Sequence, residues 1–175
     1  MNNAYPNKPV LQYSASNIGM QPIINAIKAS GLPTEVQRAV YILTRNETGN
    51  GHTVVNGTNV GGVQSDGGAW PEKWNDSIVG TCIMTESRTG KERGFVVFDT
   101  LESGVKFMCE RLRARGLYIG GYAAKIAKMQ INSPNDLASA YYKEWVEGET
   151  TYHIKDDELS EFVSMYNQSV NLFNV

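Results

Sequence analysis

The chain is short of charge, of metal-ligating side chains and of long apolar runs. Asp, Glu, Lys and Arg supply 19% of its 175 residues, and 16 basic against 18 acidic side chains leave a net charge of -2. Nonspecific nucleic-acid binders are usually basic, so no nucleic-acid partner is expected. The same balance gives the whole chain no attraction toward an anionic cell wall. No apolar run approaches the roughly 18 residues of a membrane-spanning helix. The N-terminus, MNNAYPNKPVLQYSASN, lacks the charged-then-apolar pattern of a secretory signal. Only two histidines, His52 and His153, and two cysteines, Cys82 and Cys109, are present, in no ligand spacing. No metal and no cofactor are therefore expected, and the thiols read as reduced and buried.

What is present suits one compact domain. Apolar residues make up 41% and aromatics 10%, enough for a core in a chain of this length. Residues 1–17, rich in Asn, Pro, Ser and Tyr, read as an extended arm, and residues 18–175 as a single domain. A short helix is expected over 21–29. The next, over 34–47, starts with Thr34 as cap and Gln37 completing a capping box. Residues 48–79 hold much of the glycine and little periodicity, and so long an irregular stretch points to function. Segments 81–86 and 94–98 read as two strands of a hairpin, with Gly90 in the turn and a small lobe over about 80–98. Helices are expected over 101–115, 122–130, 133–146 and 156–172, Pro134 sitting in a first turn and Asp156, Asp157 and Glu158 at a helix start. The sum is a mainly helical α+β chain with a small hairpin lobe.

Glu47 is the most informative residue. Val36, Val40 and Leu43 form an apolar stripe at spacings of four and three, and Glu47 follows four later, at the mouth of a glycine-rich loop. That places a carboxylate on the buried side of a helix end. Desolvation there raises a carboxyl pKa, which is what a glycosidase acid needs near neutral pH. The competing reading is a surface glutamate at a fraying helix end.

Several segments in order carry a family resemblance. They are Arg45-Asn46-Glu47-Thr48-Gly49, Asn59-Val60-Gly61-Gly62-Val63, Met84-Thr85-Glu86-Ser87, the run from Arg93 through Gly94-Phe95-Val96-Val97-Phe98 to Gly104, and Leu117-Tyr118. Together they span residues 36–146 and resemble the glucosaminidase branch of the lysozyme-like superfamily, which includes flagellar-rod, autolysin and phage peptidoglycan hydrolase domains. Val60 stands where that branch has an aromatic residue, and Ser87 where it has tyrosine. Gly61-Gly62 followed by Gln64 also resembles the loop of lytic transglycosylases and goose-type lysozymes, which share the single catalytic glutamate. The resemblance implies a lysozyme-like helical body with a hairpin lobe, a glycoside hydrolase acting on peptidoglycan glycan strands, and Glu47 as general acid. It also implies action at the bacterial cell wall, reached by lysis, in a virion or through a dedicated export system.

The second carboxylate is open. Glu86 on the hairpin could act as base, or be a hairpin charge pairing with Lys91 or Arg93; Asp66 is the alternative, or an Asx-turn residue. Asn59, Gln64, Trp70, Trp74, Tyr118 and Tyr122 are the candidate sugar contacts, because amide groups and amphipathic rings suit sugars. Core packing is the competing reading for the rings, and is favoured for Tyr141, Tyr142 and Trp145. Arg111, Arg113 and Arg115 read as a solvated helix end. A lysozyme-like module that binds glycan or builds a virion without cutting is the alternative of another class.

Overall fold

The computed structural model describes residues 8–65 and 70–174. The chain is α+β, about 45% helical and 17% strand. Its contacts divide it into two compact units, Met1–Ala26 with Thr44–Phe107, and Ile27–Leu43 with Met108–Val175. Among the described residues there are five α-helices: α1 (Met20–Ala29), α2 (Thr34–Glu47), α3 (Leu101–Arg115), α4 (Pro134–Tyr141) and α5 (Asp156–Leu172). None is long and apolar enough to cross a membrane.

The first unit is built on a hairpin. Strands β4 (Ile78–Thr85) and β5 (Glu92–Phe98) pair antiparallel, Cys82 opposite Phe95 and Thr85 opposite Glu92. Gly90 adopts φ 67° in the turn, a conformation glycine takes without the Cβ crowding that other residues meet. The expected alternation is visible toward the tip: Cys82 is buried and Met84 half-buried, while Ile83 and Thr85 face out. The arm is not free. Its strand β1 (Val10–Leu11) pairs parallel with β4, so the expected two-stranded hairpin is a three-stranded sheet in the order β1-β4-β5. Strand β2 (Ala15–Ser16) pairs antiparallel with β3 (Val54–Val55). Residues 1–7 of the arm lie outside the described residues. Val55, Cys82, Phe95 and Val97 form a buried apolar cluster, flanked by Leu11, Tyr13 and Met84.

The second unit is helical. Val36 and Val40 of α2, Leu112 of α3, Leu137 of α4 and Phe162 of α5 are fully or almost fully buried. Pro33 rather than Thr34 caps α2: its carbonyl accepts from the Val36 and Gln37 amides, while the Gln37 side chain donates to Leu32 O at 2.7 Å. The expected capping box is therefore not formed. Ser133 does cap α4, accepting from Asp136 N at 3.1 Å. A π-turn, Tyr142–Glu147, follows α4 and stops at Gly148, φ 73°. The expected helix over 122–130 is absent. Two short strands, β6 (Tyr122–Ala123) and β7 (Gln130–Ile131), pair there instead. Gly120 and Gly121, at φ 114° and 82°, turn the chain before β6.

Candidate functional site

Glu47 is the last residue of α2, and the following residues show why the helix stops. Gly49, Asn50 and Gly51 all take positive φ, which ends a right-handed helix. The buried Thr48 hydroxyl donates to Thr44 O at 2.6 Å and accepts from Gly51 N at 2.8 Å. Arg45 Nε donates to Asn50 Oδ1 at 2.6 Å. Gly51 O in turn accepts from the amides of Ile18 and Gly19. A side chain on Gly51 would strike the Gly19 backbone. The mouth of the helix is thus fastened on three sides, and Glu47 is half-buried there.

The loop carrying the glycine pair returns beside this carboxylate. Gly62 has φ 54°, and a Cβ built on it would lie 3.9 Å from Glu47 Oε2. Asn59, only 1% exposed, holds the loop in that position. Its Nδ2 donates to Val63 O at 3.0 Å and to Val96 O at 2.8 Å; its Oδ1 accepts from Val63 N at 2.9 Å. This corrects the reading of Asn59 as a sugar contact, because the amide has spent its hydrogen-bonding capacity inside the loop. Thr58 adds a second fastening: its hydroxyl accepts from Phe98 N at 3.2 Å, and its carbonyl sits where a Gly104 side chain would be. Val63 O accepts from Val96 N at 3.0 Å, and the exposed Gln64 bridges to Phe95, so the loop lies along β5.

Glu86 lies one residue past β4. Thr89 Oγ1 donates to its Oε2 at 2.5 Å and Arg93 Nε to its Oε1 at 2.7 Å. Thr89 first, then Arg93, hold this carboxyl below the usual glutamate range, so it stays ionised near neutral pH. Asp66 lies outside the described residues. Trp70 is a core residue rather than a displayed ring: it is 3% exposed, and its Nε1 donates to Asn75 Oδ1 at 2.6 Å. Trp74 is half-buried and meets Phe107 edge-on, with ring centroids 5.0 Å apart.

Tyr118 and Tyr122 belong to the second unit. They line an open groove of about 450 Å³ with Thr34, Glu35 and Arg38 of the first turn and a half of α2. Tyr122 is 46% exposed. Desolvation, then the hydrogen bond with Tyr122, push the Tyr118 hydroxyl up to about 12. Arg38 Nη1 pairs with Glu35 Oε1 at 2.6 Å, and Tyr166 donates to Glu35 Oε2 at 2.8 Å. Charge in this groove is therefore internally matched.

The sequence missed Glu144, which is 3% exposed. Its Oε1 accepts from the backbone amides of Ile126 and Ala127, and its Oε2 has no partner. The signal was available: Leu137, Tyr141 and Glu144 repeat the four-and-three spacing that singled out Glu47. Arg111 and Arg115 are not simply solvated, since their guanidinium groups lie 5.5 and 5.3 Å from the Trp145 ring centroid. Burial and then Arg115 bring Arg111 below its ordinary value. Both cysteines are free and buried. Burial pushes the Cys109 thiol up to about 12, which keeps it an inert thiol. Among the described residues no cluster of three His, Cys, Asp or Glu side chains gathers to hold a metal ion. Comparison with protein-family models, with curated proteins and with solved structures finds no match to the chain.

Proposed function

We propose that this chain is a lysozyme-like peptidoglycan hydrolase that cleaves a β-1,4 glycosidic bond of the glycan strand, with Glu47 as general acid. The observation that carries this reading is the pairing of Glu47 with a clamped glycine. A half-buried carboxylate ends α2, and Gly62 lies beside it with no side chain to fill the space. A sugar oxygen needs that space to come within about 3 Å of the acid. A loop held by the Asn59 and Thr58 bonds keeps Gly62 at that place.

Protonation of the glycosidic oxygen by Glu47 lets the leaving sugar depart and builds an oxocarbenium-like centre. The Glu47 carboxylate so formed can then take the proton of the incoming nucleophile. That nucleophile is water in a hydrolase and a hydroxyl of the same sugar in a transglycosylase. The state of Glu86 favours this single-carboxylate scheme. To act as a base, Glu86 would first have to leave Arg93 and Thr89. Mass spectrometry of digested peptidoglycan tests the assignment. Reducing N-acetylglucosamine ends mark a glucosaminidase, reducing N-acetylmuramic acid ends a muramidase, and anhydro ends a transglycosylase. No new ends under conditions where the protein binds sacculi would support the non-catalytic module instead.

A further inference from the structure

We infer that the C-terminal end of α3 and the β6–β7 loop form a cationic surface that docks the carboxylates of peptidoglycan peptide stems. This rests on the glycan-strand reading above and deepens it by naming the part of the polymer that the second unit engages.

The charge is segregated in the sequence. Between Glu110 and Asp136 there are five basic residues, Arg111, Arg113, Arg115, Lys125 and Lys128, and no acidic one, in a chain whose net charge is -2. The fold brings the two halves of that run to one place. The Arg111 and Arg115 guanidinium groups lie over the Trp145 ring, and Arg115 Nη1 donates to Glu144 O at 2.9 Å. From the other side, the amides of Ile126 and Ala127, between Lys125 and Lys128, bind the Glu144 side chain. The arginines therefore reach Trp145 and the Glu144 carbonyl, and the loop that carries the lysines reaches the Glu144 side chain. The Glu144 carboxylate itself is buried and turned onto loop amides. Lys125 and Lys128 are exposed and make no ion pair among the described residues.

Lys128 adds a second argument. It sits at φ 51°, a conformation in which asparagine or glycine is the easier residue. The turn itself does not call for a lysine there, so its charge needs another reason. Exposed Ile126 and Val146 give the surface apolar ground between the charges. A guanidinium group presents a planar fork of N–H donors that suits the two oxygens of a carboxylate. Stem carboxylates fit better than nucleic acid. They are spaced along a neutral sugar chain and can be met by a local patch, whereas a dense polyanion is repelled by the negative remainder of the protein.

The test measures binding apart from cleavage. In a Glu47→Gln background, which spares the polymer, co-sedimentation with purified sacculi should weaken as salt rises. Adding Lys125→Gln with Lys128→Asn should lower affinity by about three- to tenfold. Sacculi whose carboxylates have been amidated should bind the single variant as weakly as untreated sacculi bind the triple variant. Equal affinity of the two proteins, or undiminished binding to amidated sacculi, would overturn the proposal. So would tighter binding to duplex DNA at equal charge concentration. With Glu47 intact, the lysine double variant should cleave peptide-free glycan strands at the wild-type rate. Lost cleavage at an unchanged melting temperature would move these lysines into the active machinery and overturn the docking role. Failure of the catalytic reading looks different: carboxylate-dependent binding would persist with no product from either protein.

Discussion

Asn59→Ala removes the clamp that holds Gly62 beside Glu47. At 1% exposure the side chain makes hydrogen bonds of 2.8, 2.9 and 3.0 Å and accepts a longer one of 3.4 Å from Gly61 N. Val63 O keeps its bond from Val96 N, so the cost falls mainly on Val63 N–H and Val96 O. Each buried hydrogen bond is worth about 0.5–1.5 kcal/mol, and a buried group left without a partner costs about 1–3 kcal/mol. A loss of about 2–4 kcal/mol follows, a large share of the roughly 5–15 kcal/mol that stabilises a typical domain. Asn59→Asp sharpens the test. It keeps the acceptor for Val63 N but sets an oxygen against two carbonyls. Burial and those dipoles raise the introduced carboxyl's folded pKa above its unfolded value of about 3.9. The stabilisation from its protonated form is then complete below the unfolded value and is lost as pH rises through the folded one. Urea titrations at pH 4 and pH 7, with unchanged slope as the two-state check, should show Asn59→Asp less damaging at pH 4. Asn59→Ala within about 0.5 kcal/mol of wild type, well below the range for a buried bond, would refute the clamp. So would a pH-independent Asn59→Asp.

Glu86→Gln should cost less than about threefold in activity, far below the roughly 10²–10⁴-fold expected on losing a general base; peptidoglycan digestion rates check this. Its stability effect should depend on pH. Because Thr89 and Arg93 lower the Glu86 pKa, the difference from wild type is present at pH 7 and vanishes as pH falls through the folded pKa. Gly104→Ala should destabilise despite gaining about 1 kcal/mol of helix propensity. Its Cβ would overlap the Thr58 carbonyl, and a fall in Tm of at least about 2–4 °C is expected. In hydrogen exchange, the turn over residues 86–91 should exchange faster than Cys82 and Val96, because β1 and the 63–65 loop cover only the base of the hairpin. Uniform protection along β4 and β5 would contradict that.

The sequence made legible the elements whose periodicity is set by burial. α2, α5 and the hairpin follow their apolar spacing, and their ends follow Gly49, the acidic start of α5 and Gly90. The helix expected over 122–130 fails for a reason that is not local. Its alanines and lysines favour helix, but the amides of Ile126 and Ala127 are taken by Glu144, which comes from the π-turn after α4. Pairing of β1 with β4 is equally invisible, because a two-residue strand has no period to read. At the candidate site, the sequence located Glu47 and the glycine loop but misread how the loop is held. An asparagine in a glycine-rich loop looks like a ligand contact until its internal bonds are seen. For Trp70 the sequence leaves sugar contact and core packing both open, and the fold decides for packing, with Asn75 giving the ring nitrogen a partner.

The most direct test of the central claim is the clearing of purified peptidoglycan by the wild-type protein and by Glu47→Gln. The substitution keeps the size of the side chain and removes the transferable proton. Wild type should lower the turbidity, and the variant should retain no more than about a hundredth of that rate with an unchanged melting profile and undiminished binding to sacculi. Clearing by the folded variant at more than about a tenth of the wild-type rate, where loss of a general acid demands far less, would contradict the assignment of Glu47.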